Sequence, residues 1–275
     1  LYGRGARDDK GPLLAALFAM KAVHDAGLPL KRTVRLIIGT DEESEWLDME
    51  HYKKHEEMPQ EGFSPDAQFP VINAEKGCLH LEFVKDLPVL PHILAMQGGL
   101  RPNVVPDTCT VVLQDLSENL VAKAISKLPT SSRSAAVPSG IQWERTKNGE
   151  LRVTVKGQSA HASTPEKGTN AVILAFQLLS ELPLSSAERE FIDWILAHLG
   201  RGVNGEGFGI EFYDEPSGKL TTNIGIFELQ ANRLRMVVDI RYPVTKKKED
   251  VLNPVKTIAD QVGLQVNILN EQAPH

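Results

Sequence analysis

Cysteine is almost missing: Cys78 and Cys109 are the two in 275 residues. They make no CxxC spacing, so neither a disulfide framework nor a thiolate zinc site is indicated, and a cytoplasmic location is the expectation. Long apolar runs are missing too. No stretch approaches the roughly 20 residues that a membrane span needs, so no membrane partner is expected. There is no basic stripe. Net charge is −6, Lys246-Lys247-Lys248 is the single run of three basic residues, and it reads as a solvated helix start, which argues against a nucleic-acid partner. Low-complexity linkers and short-period repeats are absent. Leu1-Tyr2-Gly3-Arg4-Gly5 carries neither an initiator Met nor a signal-peptide pattern, and reads as the middle of a longer protein.

What is present suits a globular chain, with 41% hydrophobic and 24% charged residues in a length that allows one large or two ordinary domains. The first part has the rhythm of an α/β domain. A Gly-rich charged loop ends in Asp8-Asp9-Lys10-Gly11, and Pro12 suits a first helical turn. Residues 13–26 are apolar on nearly every side and predict a well-buried helix stopped by Gly27. The β-branched run Val34–Ile38 predicts a short buried strand that delivers Asp41-Glu42-Glu43 to a sheet's carboxyl edge, where open α/β sheets bind ligands. A helix over 46–55, a turn at Phe63-Ser64-Pro65-Asp66-Ala67 and a strand over 69–74 follow.

From about residue 78 the pattern changes to alternating segments typical of antiparallel strands, at 79–84, 92–96, 104–113, 142–145 and 151–156. Asn148-Gly149 is a strong hairpin signal between the last two. Helices are expected over 118–128, 170–182 and 187–199. A strand pair at 222–227 and 233–240, a helix over 247–262 and a strand over 264–268 complete a separate α+β domain.

Asp8, the Glu42–Glu43 pair and Asp66 all fall on loops beside elements of the first part. Adjacent carboxylates repel unless a cation lies among them, and carboxylates suit Zn²⁺, Mn²⁺ or Co²⁺ when a His completes each sphere. A two-metal site needs in addition one carboxylate that acts as general base rather than ligand. A solvated acidic turn is the plain alternative for Asp41-Glu42-Glu43. Likewise His161 reads on its own as a hydrogen-bonded loop residue, Arg241 as a salt-bridge partner at a strand end and Asn103 as a turn residue. Asp9 and Asp41 read as loop-shaping residues. The remaining histidines on helices and strands lack an acidic context that would make them ligands.

Gly3-Arg4-Gly5-Ala6-Arg7-Asp8-Asp9-Lys10-Gly11 resembles the bridging-aspartate segment of the dinuclear zinc peptidases of the aminoacylase and carboxypeptidase type. Gly39-Thr40-Asp41-Glu42-Glu43-Ser44 resembles their catalytic and metal-binding Glu pair. Trp46, His55-Glu56-Glu57-Met58-Pro59 and Gly62-Phe63-Ser64-Pro65-Asp66-Ala67 resemble the dipeptidase V-like branch. The resemblance extends over essentially the whole chain and is most specific in residues 1–77. It implies an incomplete α/β catalytic domain over 1–77, with the phosphorylase/hydrolase-like sheet of the zinc peptidases. An inserted α+β lid with antiparallel sheets would cover 78–270, and 271–275 would start the return.

It further implies that Asp8 bridges two divalent ions, zinc in first place with manganese or cobalt as alternatives. Glu43 would bind one ion, Asp66 the other, and Glu42 would serve as general base. Gly157-Gln158-Ser159-Ala160-His161-Ala162-Ser163 looks like the lid motif whose His stabilises an oxyanion. Arg241, in Asp239-Ile240-Arg241-Tyr242-Pro243, matches the arginine that takes the substrate's C-terminal carboxylate, and Asn103 matches a polar substrate contact. The implied activity is a monomeric dipeptidase acting on small peptides with a free N-terminus. An amidohydrolase of N-acyl amino acids and a non-catalytic binding fragment dominated by the lid are the alternatives. The family's His-x-Asp segment and its C-terminal metal-binding His have no counterpart here. The chain alone is therefore expected to hold metal poorly and to be inactive.

Overall fold

A computed structural model describes residues 3, 5–6, 8–42, 46–66, 71–128 and 140–275. The chain divides into two compact units, Leu1–Asn73 and Ala74–His275.

The first unit contains two helices, α1 (Lys10–Asp25) and α2 (Leu47–His55), and among its described residues no strand. Two expectations change here. The predicted strand at 33–38 has no ladder partner, and Val34 and Ile38 are 53% and 61% exposed. The described residues 71–74 of the second predicted strand are likewise unpaired. A β-branched run supplies propensity, but a strand exists only when a neighbour takes its N–H and C=O groups. Helix α1 forms where expected, yet none of its residues is buried, and Leu14, Leu17 and Phe18 are at least 47% exposed. Apolar composition alone does not supply the surface that covers it.

The second unit is built on an eight-stranded antiparallel sheet. Its strands are β1 (Gly77–Asp86), β2 (Ile93–Gly98), β3 (Thr108–Leu113), β4 (Ile141–Arg145), β5 (Leu151–Lys156), β8 (Thr221–Gln230), β9 (Arg233–Tyr242) and β10 (Gln265–Gln272). Their spatial order is β10-β1-β9-β8-β2-β3-β5-β4. A short hairpin of β6 (Tyr213–Asp214) and β7 (Gly218–Lys219) stands apart. The helices are α3 (Glu118–Lys127), α4 (Ala171–Ser180), α5 (Ser186–His198) and α6 (Lys248–Gln261).

Alternation decides which face is covered. In β9, Leu234, Met236, Val238, Ile240 and Tyr242 are all buried, and their register partners in β1 include Leu79, Leu81 and Phe83, each fully buried. These residues join Phe176 and Leu178 of α4 and Val251 and Val255 of α6 in one core. α4 is apolar all round and has seven buried residues in ten, the mark of a central helix. The helices are capped by side chains where the sequence offers them: Asn170 Oδ1 accepts from Val172 N at 3.0 Å, and Ser185 and Glu188 form a reciprocal capping box. Glu188, fully buried, also accepts from His92 N and Ile93 N at 2.6 and 3.0 Å. Asn148-Gly149 turns β4 into β5 as expected, with Gly149 at φ 86°. On the other face β9 carries Arg235, Asp239 and Arg241 together with the buried Val237.

Candidate active site

In the first unit the acidic loop before α2 is held by backbone donors. Asp48 Oδ2 accepts from Thr40 N at 2.5 Å and Asp41 N at 3.1 Å, and Asp41 Oδ2 accepts from Leu47 N at 2.9 Å. The Thr40 bond, first among the causes, holds the Asp48 carboxyl below its ordinary range. Trp46 closes the turn, its Nε1 donating to Glu42 O at 3.0 Å. Asp41 thus shapes its loop, and Asp48 does so more. Sequence reasoning missed Asp48; the signal is an acidic residue in the first turn of the helix that follows the loop.

Asp8, Glu42 and Asp66 are exposed, and Glu43 lies outside the described residues. Two observations bear on whether these residues fit divalent ions. The donor set is entirely carboxylate oxygen, as hard cations prefer. Beside Asp8, the buried Oδ1 of Asp9 has no hydrogen-bond partner, the kind of orphan that an ion or its water accounts for. The chemistry fits.

Among the described residues one group of three candidate ligands lies within 4.8 Å, Cys78, His80 and Asp239, and it belongs to the second unit. Its chemistry is that of an ion pair. Asp239, fully buried, receives Arg241 as a fork, Nε to Oδ1 at 2.9 Å and Nη2 to Oδ2 at 2.9 Å, while His80 Nε2 donates to Oδ2 at 3.0 Å. Burial works against the Asp239 charge, but His80 and Arg241 outweigh it and hold the carboxyl low. Burial also works against Arg241 and is outweighed by Asp239, so its pKa is raised. Burial, reinforced by Asp239, pushes the Cys78 thiol up to about 12, so no thiolate is on offer at neutral pH. A guanidinium already stands where a cation would.

This network places Arg241. Its side chain is 17% exposed, and a guanidinium has five N–H donors, so the fork to Asp239 fixes the plane while leaving donors for a second anion. Thr221 pairs with Arg241 and Asn223 with Asp239 in the β8–β9 register, and both are 5% exposed. Thr221 Oγ1 donates to Ala162 O at 3.2 Å, and Asn223 Nδ2 donates to Val104 O at 3.1 Å. Val104 bridges His161, and Ala162 N donates to Asn103 O at 2.9 Å. The segments carrying Asn103, His161 and Arg241 are therefore stitched together at one end of the sheet. Thr221 and Asn223 do the stitching, and sequence reasoning missed both; the available signal is two polar residues two apart, opposite Asp239 and Arg241.

His161 is exposed, and its tautomer follows from its neighbours. Ser163 N donates to Nδ1 at 3.2 Å and Ser163 Oγ stands 2.7 Å from it. Nδ1 is thus an acceptor, and in the neutral ring the proton sits on Nε2, which becomes the donor.

Comparison with known proteins adds to this geometry. A family model described as peptidase family M20/M25/M40 matches residues 1–274. "Putative dipeptidase YtjP" of Bacillus subtilis is 35% identical over 284 residues, covering 100% of this chain and 59% of that protein. "Putative dipeptidase" of Staphylococcus epidermidis is 31% identical and "Putative dipeptidase SH1171" of Staphylococcus haemolyticus 32% identical, with the same coverages. The chain thus spans 59% of the length of these relatives. A crystal structure of aminoacylhistidine dipeptidase from Vibrio alginolyticus is 14% identical and covers 74% of this chain and 46% of its own, with a TM-score of 0.30, too low to carry an argument.

Proposed function

This chain belongs to peptidase family M20/M25/M40, and from that premise we propose that it forms the central part of a metal-dependent dipeptidase. The first unit contributes to the metal-binding catalytic domain and the second is the lid. Asp8, Glu43 and Asp66 would hold two divalent ions, zinc being the ion that the family resemblance implies, while their oxygen donors alone suit harder ions better. The ions, when bound, supply an acidified water and positive charge against a developing oxyanion. Glu42 takes the proton of the attacking water and returns it to the leaving amine. His161 donates from Nε2 to the oxyanion, as its tautomer requires. Arg241 receives the C-terminal carboxylate on the N–H groups that Asp239 leaves over, and Asn103 adds a polar contact.

The observation that carries the reading is the pairing of an Nε2–H donor with an oriented guanidinium on connected segments. A scissile carbonyl and a terminal carboxylate one residue apart need those two partners. The names of the relatives support the same substrate class.

The test is dipeptide hydrolysis by a protein carrying this chain, with Zn²⁺ or Mn²⁺, beside Glu42→Gln. Turnover should fall by about 10²–10⁴-fold while metal content is retained. Loss of metal together with activity would make Glu42 a ligand and sink the assignment. Faster hydrolysis of the N-acetylated dipeptide than of the free one would turn the reading toward an N-acyl amino acid amidohydrolase.

A further inference from the structure

We propose that a recess beside Arg241 is a subsite for an acidic side chain on the C-terminal residue of the substrate, an inference that rests on the roles given above to His161 and Arg241. The recess has a volume of about 280 Å³ and is lined by Lys76, Ser163, Glu166, Val203, Asn204, Lys219 and Thr221. A water occupies about 30 Å³, so one side chain and some water fit.

Its position follows from its borders. Ser163 is bonded to the His161 ring, and Thr221 is the register partner of Arg241. In a dipeptide the side chain of the C-terminal residue branches from the carbon between the scissile carbonyl and the terminal carboxylate, and so projects to one side of the line joining their anchors. The recess opens to one side of that line, next to the Ser163 and Thr221 neighbours of the two anchors.

Its charge follows from its lining. Lys76 and Lys219 bring two ammonium groups and Glu166 one carboxylate, and the Arg241 charge also acts on Lys76. Most neutral donors are engaged: Thr221 Oγ1 with Ala162 O, one hydrogen of Asn204 Nδ2 with Leu220 O, and Ser163 N with His161. Lys76 also donates to the Lys219 carbonyl, which fixes its amino group within the lining. Burial, reinforced by Arg241, pulls the Lys76 pKa down, with Asp214 and Glu166 opposing it. A carboxylate entering the recess meets two ammonium groups and the like-charged Glu166 carboxylate, a net balance of one positive charge. A basic side chain meets one carboxylate and both of those ammonium groups.

The experiment measures binding of alanyl-alanine, alanyl-aspartate, alanyl-glutamate and alanyl-lysine to the 275-residue chain by titration calorimetry. Alanyl-alanine binding should be lost in Arg241→Gln. The acidic dipeptides should bind about tenfold more tightly than alanyl-alanine, the scale of one charge-assisted bond. Lys219→Met, a change at an exposed side chain, should close most of that gap without touching alanyl-alanine affinity, and Lys76→Met should do the same. Equal affinity for acidic and neutral dipeptides, or a preference for alanyl-lysine, would overturn the subsite and leave the Arg241 reading standing. Alanyl-alanine binding that ignores Arg241→Gln, or no saturable binding of any probe, would overturn both.

Discussion

Asp239→Asn isolates the device that orients Arg241. Asp239 is fully buried and is held by charge-assisted bonds from the Nε and Nη2 groups of Arg241 and from His80. Removing one partner of a buried ion pair costs about 3–5 kcal/mol, because the other charge is left uncompensated. Asn keeps the shape and one acceptor oxygen, and the Arg241 side chain retains 17% exposure, so the expected loss is about 2–4 kcal/mol. The assay is urea unfolding followed by fluorescence of Trp194, which packs against the core of the second unit, with the exposed Trp46 and Trp143 replaced by Phe. Arg241→Met removes the charge that Asp239 answers. The double variant should therefore be less destabilised than the sum of the two single variants by at least about 1 kcal/mol, outside the usual error of additivity. The same Asp239→Asn change should weaken binding of a dipeptide but leave its C-terminal amide, which has no carboxylate, unaffected. A loss under about 1 kcal/mol, or simple additivity in the cycle, would refute the claim that this pair is a coupled buried unit.

Two further outcomes are expected. A Cβ on Gly225 would lie 2.1 Å from Pro102 O, so Gly225→Ala should displace the loop that carries Asn103 and cost roughly 1–3 kcal/mol, read by urea unfolding and by the Asn103 amide resonance. Asp239, Glu188 and Asp214, the last held at about 2 by Ser217 and Thr245 against the effect of burial, all have folded pKa values below the ordinary carboxylate range. Such groups stabilise fully above their unfolded pKa of about 4 and lose that contribution as pH falls through the folded value. Stability of the second unit should therefore drop between about pH 4 and pH 2, and the penalty of Asp214→Asn, clear at pH 6, should vanish near pH 2. A penalty that persists there would refute the assignment.

The second unit was largely legible because its strands and helices write their environment into their spacing. Every strand expected from residue 78 onward is found, with ends shifted by a few residues, since alternation reports one covered face wherever the partner strand happens to lie. The first unit was legible in its family and less so in its elements. Val34–Ile38 has strand propensity without a ladder, and α1 has apolar residues without a cover. Those properties are relations between segments, and periodicity within one segment does not encode them. The same limit explains why Thr221, Asn223 and Asp48 escaped notice. Each acts through a hydrogen bond to a backbone atom 7 to 119 residues away, and its own sequence neighbourhood looks like an ordinary polar position.

Strand β9 ties stability and recognition to one register. Its inward residues Leu234, Met236, Val238 and Ile240 make core, while Asp239 and Arg241 alternate with them on the polar face. A slip of one residue would turn Asp239 into the core and Ile240 to the polar row, so the hydrophobic penalty that forbids the slip also fixes where the guanidinium points. The bulge in β8 between Ile224 and Ile226 adds to this. It brings Gly225 against Pro102 and leaves Asn223 opposite Asp239, so that one irregularity seats the Asn103 loop while the register below it holds the ion pair. Positioning by a twisted sheet is stiffer than positioning by loops, and the proposed site, with two anchors for one small substrate, would gain from that stiffness. The proposed anchors accordingly sit on β9, for Arg241, and on a segment bonded to β8, for His161.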